Sequence, residues 1–357
     1  MSSRATGTHV RGERNCIADR LLRERRHLTV ARRTTAQCLV RPLTPRPLYL
    51  DVRGLYNAND QSMPPPQHSR LRQALDSGRF VITSELSPPK GTDLTRFLAK
   101  AERLEGAVDA VNVTDSHAAH MTLSPVVAGH RLLEAGVEPI LQLTTRDRNR
   151  IALQGDLLGA YVLGVRNVVV MGGDPPAGGD HPDAKPVFDL YAAQLLEAVS
   201  GLARGTDYGG NDLTGNAELF AGAVVNPGAA DIDEEVRRMQ EKYAAGARFF
   251  QTQAVYDVEA FARFVASSRD VEAPLLAGII PVKSRTMAEY MNSRVPGIEI
   301  PEPLIAEIDG ATDKRAASVA MAGRIAGELR DFCAGLHIMT IGWEDEVQEI
   351  ARAARGA

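Results

Sequence analysis

From Arg79 onward, short runs rich in Val, Ile, Leu and Phe alternate with longer segments of helical spacing, and the alternation repeats eight times. Such short apolar runs, each followed by a helical stretch, suit parallel β-α-β units, in which helices cover the sheet and the strands need no polar face. The predicted strands are 80–84, 110–114, 139–144, 167–171, 219–225, 249–253, 275–280 and 337–341. Helices are predicted over 93–105, 149–163, 231–245 and 258–266, the third opening on Asp231, Asp233 and Glu234, acids that suit a helix N-terminus. The long gap from 281 to 336 is read as an insertion with helices around 288–292, 302–307 and 314–330. Eight units favour closure over an open doubly wound sheet. The expected fold class is therefore α/β, a single (β/α)8 TIM barrel with an N-terminal disordered extension.

A barrel needs about 250 residues, so the 357-residue chain holds one catalytic domain and a surplus. The surplus differs in charge. Residues 1–60 carry twelve Arg, no Lys and five acids, a net of +7, so a whole-chain charge of −4 leaves −11 on residues 61–357. Such an Arg-rich, acid-poor stretch suits a nucleic-acid arm or an organelle presequence, but the plainer reading is preferred: residues 1–62 are an Arg-rich disordered leader and 63–357 the barrel domain. No nucleic acid or membrane partner is expected. No apolar run approaches the ~20 residues of a membrane span and no cleavable export signal opens the chain, so a cytoplasmic location is expected. Cys16, Cys38 and Cys333 are isolated from one another and from any Cys/His cluster, so neither a disulfide framework nor a metal site is expected.

In such barrels chemistry sits at the C-terminal ends of the strands. Here those ends are polar: Glu85, Thr114-Asp115, Thr144-Thr145-Arg146-Asp147, Gly172-Gly173-Asp174, Asn226, Gln251-Thr252-Gln253 and Lys283 in turn. Glu85 precedes Pro88-Pro89 in a partly desolvated mouth, where burial would raise its pKa and let it serve as a general acid; the plainer reading is a solvated strand end. Asp174 follows two glycines that would let a flat ring approach the backbone, although Gly-Gly-Asp-Pro-Pro is also a good turn. Gln253 offers a donor and an acceptor, as reading a heterocycle edge requires. Arg146-Asp147-Arg148-Asn149 suits either phosphate and ribose binding or an ion-paired helix start. His337 and Trp343 are read as packing residues. The chain lacks GxxxxGK[ST] and has no GxGxxG after its first strand, which excludes a P-loop and makes a Rossmann nicotinamide domain a poor reading.

Taken in order, Ser84-Glu85-Leu86-Ser87-Pro88-Pro89, Asn112-Val113-Thr114, Gln142-Leu143-Thr144 with Arg146-Asp147-Arg148-Asn149, Gly173-Asp174, Ala245-Gly246-Ala247, Thr252-Gln253 with Asp257, and Ala277-Gly278-Ile279-Ile280-Pro281 resemble the methylenetetrahydrofolate reductase family. The resemblance covers nearly all of residues 77–357. It implies a flavin at the barrel mouth, FAD with FMN as the alternative, and ping-pong hydride transfer from NADH or NADPH to methylenetetrahydrofolate. By the same resemblance Glu85 is the general acid, Asp174 tunes flavin and folate, and Gln253 contacts the pterin. Cofactor contacts carry over to Thr114, Gln142, Gly173, Asp174, Asn226 and Lys242. Departures occur: many members have Arg-Gly-Asp where this chain has Gly172-Gly173-Asp174, His at Gln142 and Tyr at Asn226. A homo-oligomer or a one-carbon enzyme partner is compatible with the resemblance. The alternatives are the same chemistry run oxidatively in methyl-group breakdown, a noncatalytic subunit of a one-carbon complex, and a flavin-free barrel lyase.

Overall fold

The computed structural model describes residues 68–355; the leader expected over 1–62 lies outside the described residues. Eight parallel strands close into one barrel in chain order: β1 (Val81–Leu86), β2 (Ala110–Val113), β3 (Pro139–Thr144), β4 (Asn167–Met171), β5 (Phe220–Val225), β6 (Phe249–Ala254), β7 (Leu275–Ile279) and β8 (Gly335–Ile338), with β8 paired back onto β1. The fold is the expected (β/α)8 barrel. Seven strands fall within two residues of their predicted bounds. The eighth starts and stops earlier, at Gly335 and Ile338, and beyond it Ile341 takes a left-handed φ of 50° outside the sheet.

An outer ring of helices follows the strands: α2 (Thr95–Leu104), α3 (Pro125–Glu134), α4 (Arg150–Val162), α5 (Ala192–Ala203), α6 (Ile232–Ala245) and α7 (Val258–Ser267), then α8 (Arg285–Arg294), α9 (Glu302–Gly310) and α10 (Lys314–Leu329) in the expected insertion, and α11 (Val347–Arg355) after β8. Side-chain caps start several of them: Asn149 accepts from the Ile151 and Ala152 amides, Asp231 from Glu234 and Asp257 from Ala260.

One element was not foreseen. A short helix, α1 (Arg70–Asp76), precedes β1 and buries Leu71, Ala74 and Leu75. Seven residues are too few for periodicity to stand out, and a helix that short is not stable alone. It forms because its apolar face closes the bottom of the barrel, packing with Val81, Ala110, Ile140, Val169, Phe220, Phe249 and Leu276.

The barrel interior is layered. Strand residues two apart point the same way, so above the apolar floor stand Thr83, Asn112, Gln251 and His337, each no more than 3% exposed. Asn112 and Gln251 exchange two side-chain hydrogen bonds of 2.7 and 3.0 Å, which satisfies both amides in the dry interior. The alternate faces of the strands, including Ile82, Leu86, Val111 and Val113, pack outward against the helices.

Candidate active site

Two residues above Thr83, near the end of β1, Glu85 stands in the mouth, its side chain 19% exposed. Gln142 on β3 directs its amide nitrogen at the Glu85 carboxylate from 3.5 Å, and Nε2 of His337 on β8 lies 3.8 Å away. His337 is buried, as expected of a packing residue, but the structure corrects that reading by joining its ring to the site. The Thr83 hydroxyl donates its only hydrogen to the Leu336 carbonyl, 3.2 Å away. With its hydrogen on that carbonyl it accepts from Nδ1 of His337 at 3.0 Å, and Nε2 is the ring atom turned toward Glu85.

The expectation that burial would raise the pKa of Glu85 is also corrected. Burial is the largest single influence and does push it up, but the hydrogen bond and charge of His337, the charge of His117 and the Gln142 amide outweigh it together. The carboxyl sits below its ordinary value of 4.5 and is ionised at neutral pH.

Across the mouth, Thr114 is 1% exposed and its hydroxyl donates to that of Ser87 at 3.0 Å, linking the ends of β2 and β1. Gly173 has φ of 89°, and a Cβ there would press on Thr144 and Arg146 at 3.0 to 3.3 Å. Only glycine suits that approach. Asp174 follows, exposed, with its backbone carbonyl held by Arg146 at 3.3 Å.

Gln253 lies within a register shift between β6 and β7, where Gln251 pairs with Leu276 but Ala254 pairs with Gly278. The Gly278 amide donates to the Thr252 hydroxyl at 2.9 Å, and Gly278 has no room for a Cβ against the Thr252 carbonyl. Irregularities of this kind re-aim side chains beside active sites. Gln253 Oε1 accepts from the Ala254 amide at 3.1 Å, and its amide nitrogen has no partner among the described residues.

Asn226 and Lys242 stand apart from this group and share Glu235. The Asn226 side chain donates to the Pro296 carbonyl at 3.2 Å and accepts from the Gly228 amide, while its own backbone amide donates to Glu235 at 3.0 Å. Lys242 donates to the Val224 carbonyl at 2.8 Å and lies 3.9 Å from Glu235; burial holds its pKa below the usual value. To meet a phosphate, Lys242 would have to leave both. Nearby, a cavity of about 330 Å³ opens between Gly228, Tyr256, Asp257, Gly297 and Glu299, its charged groups acidic.

The segment 146–149 resolves into ion pairs and a cap. Arg146 chelates Asp147, Arg148 bridges Asp115 and Asp156, and Asn149 caps α4. Four residues of this centre carried only a weak sequence signal: Thr83, Asn112, Gln251 and His337 are polar residues inside otherwise apolar strands. That is the mark of a polar interior layer below a site.

The family model for methylenetetrahydrofolate reductase matches residues 70–355. A probable methylenetetrahydrofolate reductase (NADPH) of Caenorhabditis elegans is 23% identical over 80% of this chain and 44% of its own length. The 5,10-methylenetetrahydrofolate reductase of Pectobacterium carotovorum is 26% identical over 64% of this chain and 76% of its own. The chain thus spans under half of the first relative and about three quarters of the second. Among solved structures, the EDTA monooxygenase of Chelativorans sp. BNC1 aligns with a TM-score of 0.48 at 13% identity over 78% of this chain and 94% of that one, too remote to speak to chemistry. No described helix is long and apolar enough to cross a membrane. A match over nearly the whole described barrel establishes the family: the chain belongs to the methylenetetrahydrofolate reductases, a family of oxidoreductases.

Proposed function

We propose that the protein reduces 5,10-methylenetetrahydrofolate to 5-methyltetrahydrofolate, with NADH or NADPH as the electron source and a noncovalent flavin, FAD or FMN, at the barrel mouth. The observation that carries this reading is the Glu85–His337–Thr83 arrangement at the C-terminal end of a barrel of this family. The flavin, when bound, relays a hydride from nicotinamide to folate. The ring end of its site is compatible with the residues present. Gly173 lets a flat ring lie on the backbone, with Asp174 beside it, and Thr114 and Gln142 offer polar edges. At the phosphate end, Lys242 and Asn226 serve only by releasing their present partners.

The protein's own chemical task is the proton. Opening the folate's bridging methylene breaks its bond to N10 and places a proton on that nitrogen, while the carbon left on N5 takes the hydride. Glu85 delivers the proton. In the open site its carboxyl is ionised, and a planar ligand over the mouth strips water from it and favours protonation. His337 Nε2 faces it at 3.8 Å, and the ring in its doubly protonated form passes its Nε2 proton to the carboxylate and is left neutral, with its Nδ1 hydrogen on Thr83. Gln253, with its unpaired amide nitrogen, reads the pterin edge.

The test is stopped-flow absorbance of the purified protein. The flavin band near ~450 nm should bleach with NADH or NADPH and return with methylenetetrahydrofolate. Bleaching without return would discard the folate, and absence of bound flavin after adding FAD and FMN would overturn the cofactor. Gln253→Ala is expected to weaken folate binding by about 1 to 2 kcal/mol and to leave the nicotinamide half-reaction alone. An unchanged folate dependence removes Gln253 from the site.

We also propose that the catalytic domain needs nothing before residue 63. Deleting 1–62 should preserve folding and activity, whereas deleting 1–78 also removes α1 and should lower the melting temperature by several degrees or leave the protein insoluble. Equal behaviour of the two truncations would refute the role given to α1; insolubility of the shorter deletion would refute the domain boundary.

A further inference from the structure

One buried cation in the mouth has no part in the chemistry above. The Arg146 side chain is 3% exposed at the end of β3. Its guanidinium grips its own neighbour Asp147 with Nε and Nη2 at 2.8 and 2.6 Å. The remaining reach is spent on backbone: Nη2 donates to the Ser116 carbonyl at 3.2 Å and Nη1 to that of Asp174 at 3.3 Å. The Arg146 carbonyl in turn accepts from the Val187 amide at 2.7 Å, and that of Thr145 from Phe188 at 3.1 Å. One residue therefore fastens the loops after β2 and β4, the latter near both of its ends.

Those loops are strained. Ser116, Ala118 and Ala119 have φ of 50°, 50° and 58°, and Phe188 has 41°. Non-glycine residues in the left-handed region cost of order 1 kcal/mol or more each and persist only where the surroundings over-determine them. The loops also interlock: Gly179 lies so close to the Ala119 backbone that a Cβ would not fit, and Asp180 accepts from the Met121 amide and pairs with Lys90. The first loop carries His117, whose charge acts on Glu85, and the second carries Asp174. Where many members of the family have an arginine just before Gly-Asp, this chain has Gly172, and a guanidinium arrives at Asp174 from the adjacent strand instead.

We infer that Arg146 is a positioning residue for the reductase site: its guanidinium, kept in one orientation by Asp147, holds the His117 loop and the Asp174 backbone in place around Glu85. The inference rests on the proposed reaction for its kinetic arm alone. Two groups meet Glu85, His337 from β8 and Gln142 from β3, and His117 on the β2 loop acts on it by charge alone. Only His117 depends on the clamp.

The experiment uses the full chain with Arg146→Lys and, as an independent route, Asp147→Ala, which keeps the arginine but frees its orientation. Amide hydrogen exchange of the free protein should rise on the order of tenfold over residues 115–120 and 173–175 in both variants, with the barrel strands unchanged. In the folate half-reaction kcat should fall roughly 10- to 100-fold with KM changed less than about twofold, as for a misplaced catalytic group. The limb on which its rate falls with rising pH, set by deprotonation of the Glu85 acid, should move to higher pH, because Glu85 loses the favourable charge of His117. A general loss of stability would not move that limb. Unchanged exchange in those two segments overturns the inference, as does an alkaline limb that stays where it was in an otherwise impaired enzyme. Exchange is read without substrate, so a wild-type protein inert toward folate would sink the proposed reaction and leave the positioning claim decided by exchange.

Discussion

Glu85→Gln should leave reduction of the bound flavin by NADH or NADPH within a fewfold of wild type and slow transfer to methylenetetrahydrofolate by about 10²- to 10⁴-fold, the usual worth of a positioned acid. The substitution is nearly isosteric and keeps a hydrogen-bonding group toward Gln142 and His337, so the loss reports the proton rather than the packing. His337→Asn should reproduce part of the defect by removing the group that recharges the carboxyl. Stopped-flow absorbance separates the half-reactions; equal losses in both would refute the folate-side role of Glu85. The pH dependence follows from the same contacts. Because the folded pKa of Glu85 lies below its ordinary 4.5, its ionised form contributes stability that is present above about pH 4.5 and lost as pH falls through the folded value. Wild type should therefore lose more stability than Glu85→Gln on acidification from about pH 5 to 3, measured by denaturant midpoint. Parallel curves would mean that the contacts do not hold the carboxylate as described.

Phe249→Ala should cost about 3 to 5 kcal/mol of folding stability, the range for emptying a buried aromatic site. Phe249 is fully buried in the barrel floor, its ring stacked on Phe220 with centroids 5.0 Å apart and planes 19° from parallel. It fills the space left by Gly222, where no Cβ fits beside the ring, and meets the apolar face of α1 from above. Strand backbones locked in a closed ladder cannot collapse into the void, so the cost should stay at the upper end of the range. Guanidinium unfolding followed by far-ultraviolet circular dichroism would measure it. A loss under about 1 kcal/mol would mean that the floor is loosely packed and that α1 is dispensable.

Much of this protein could be read from its sequence, because the relevant signals are local. Eight strands, their order and most of their bounds follow from short apolar runs separated by helical spacing, and the strand ends point to Glu85, Asp174 and Gln253 as mouth residues. The family follows from the order of those same ends. What the sequence could not decide were the partners of each polar side chain. Thr83 and His337 are 254 positions apart and meet only because β8 closes onto β1. That closure brings a residue read as packing to within 3.8 Å of the Glu85 carboxylate, and it reverses the direction expected for the Glu85 pKa. Lys242, read as a cation for the cofactor phosphates, donates to the Val224 carbonyl, and of the two readings left open for 146–149 the contacts match the ion-paired helix start. The helix α1 forms only where the barrel floor receives it. Periodicity and propensity act over a few residues and so determine elements and their order; pKa values, ion pairs and clamps depend on distances across the closed barrel, which only the tertiary structure decides.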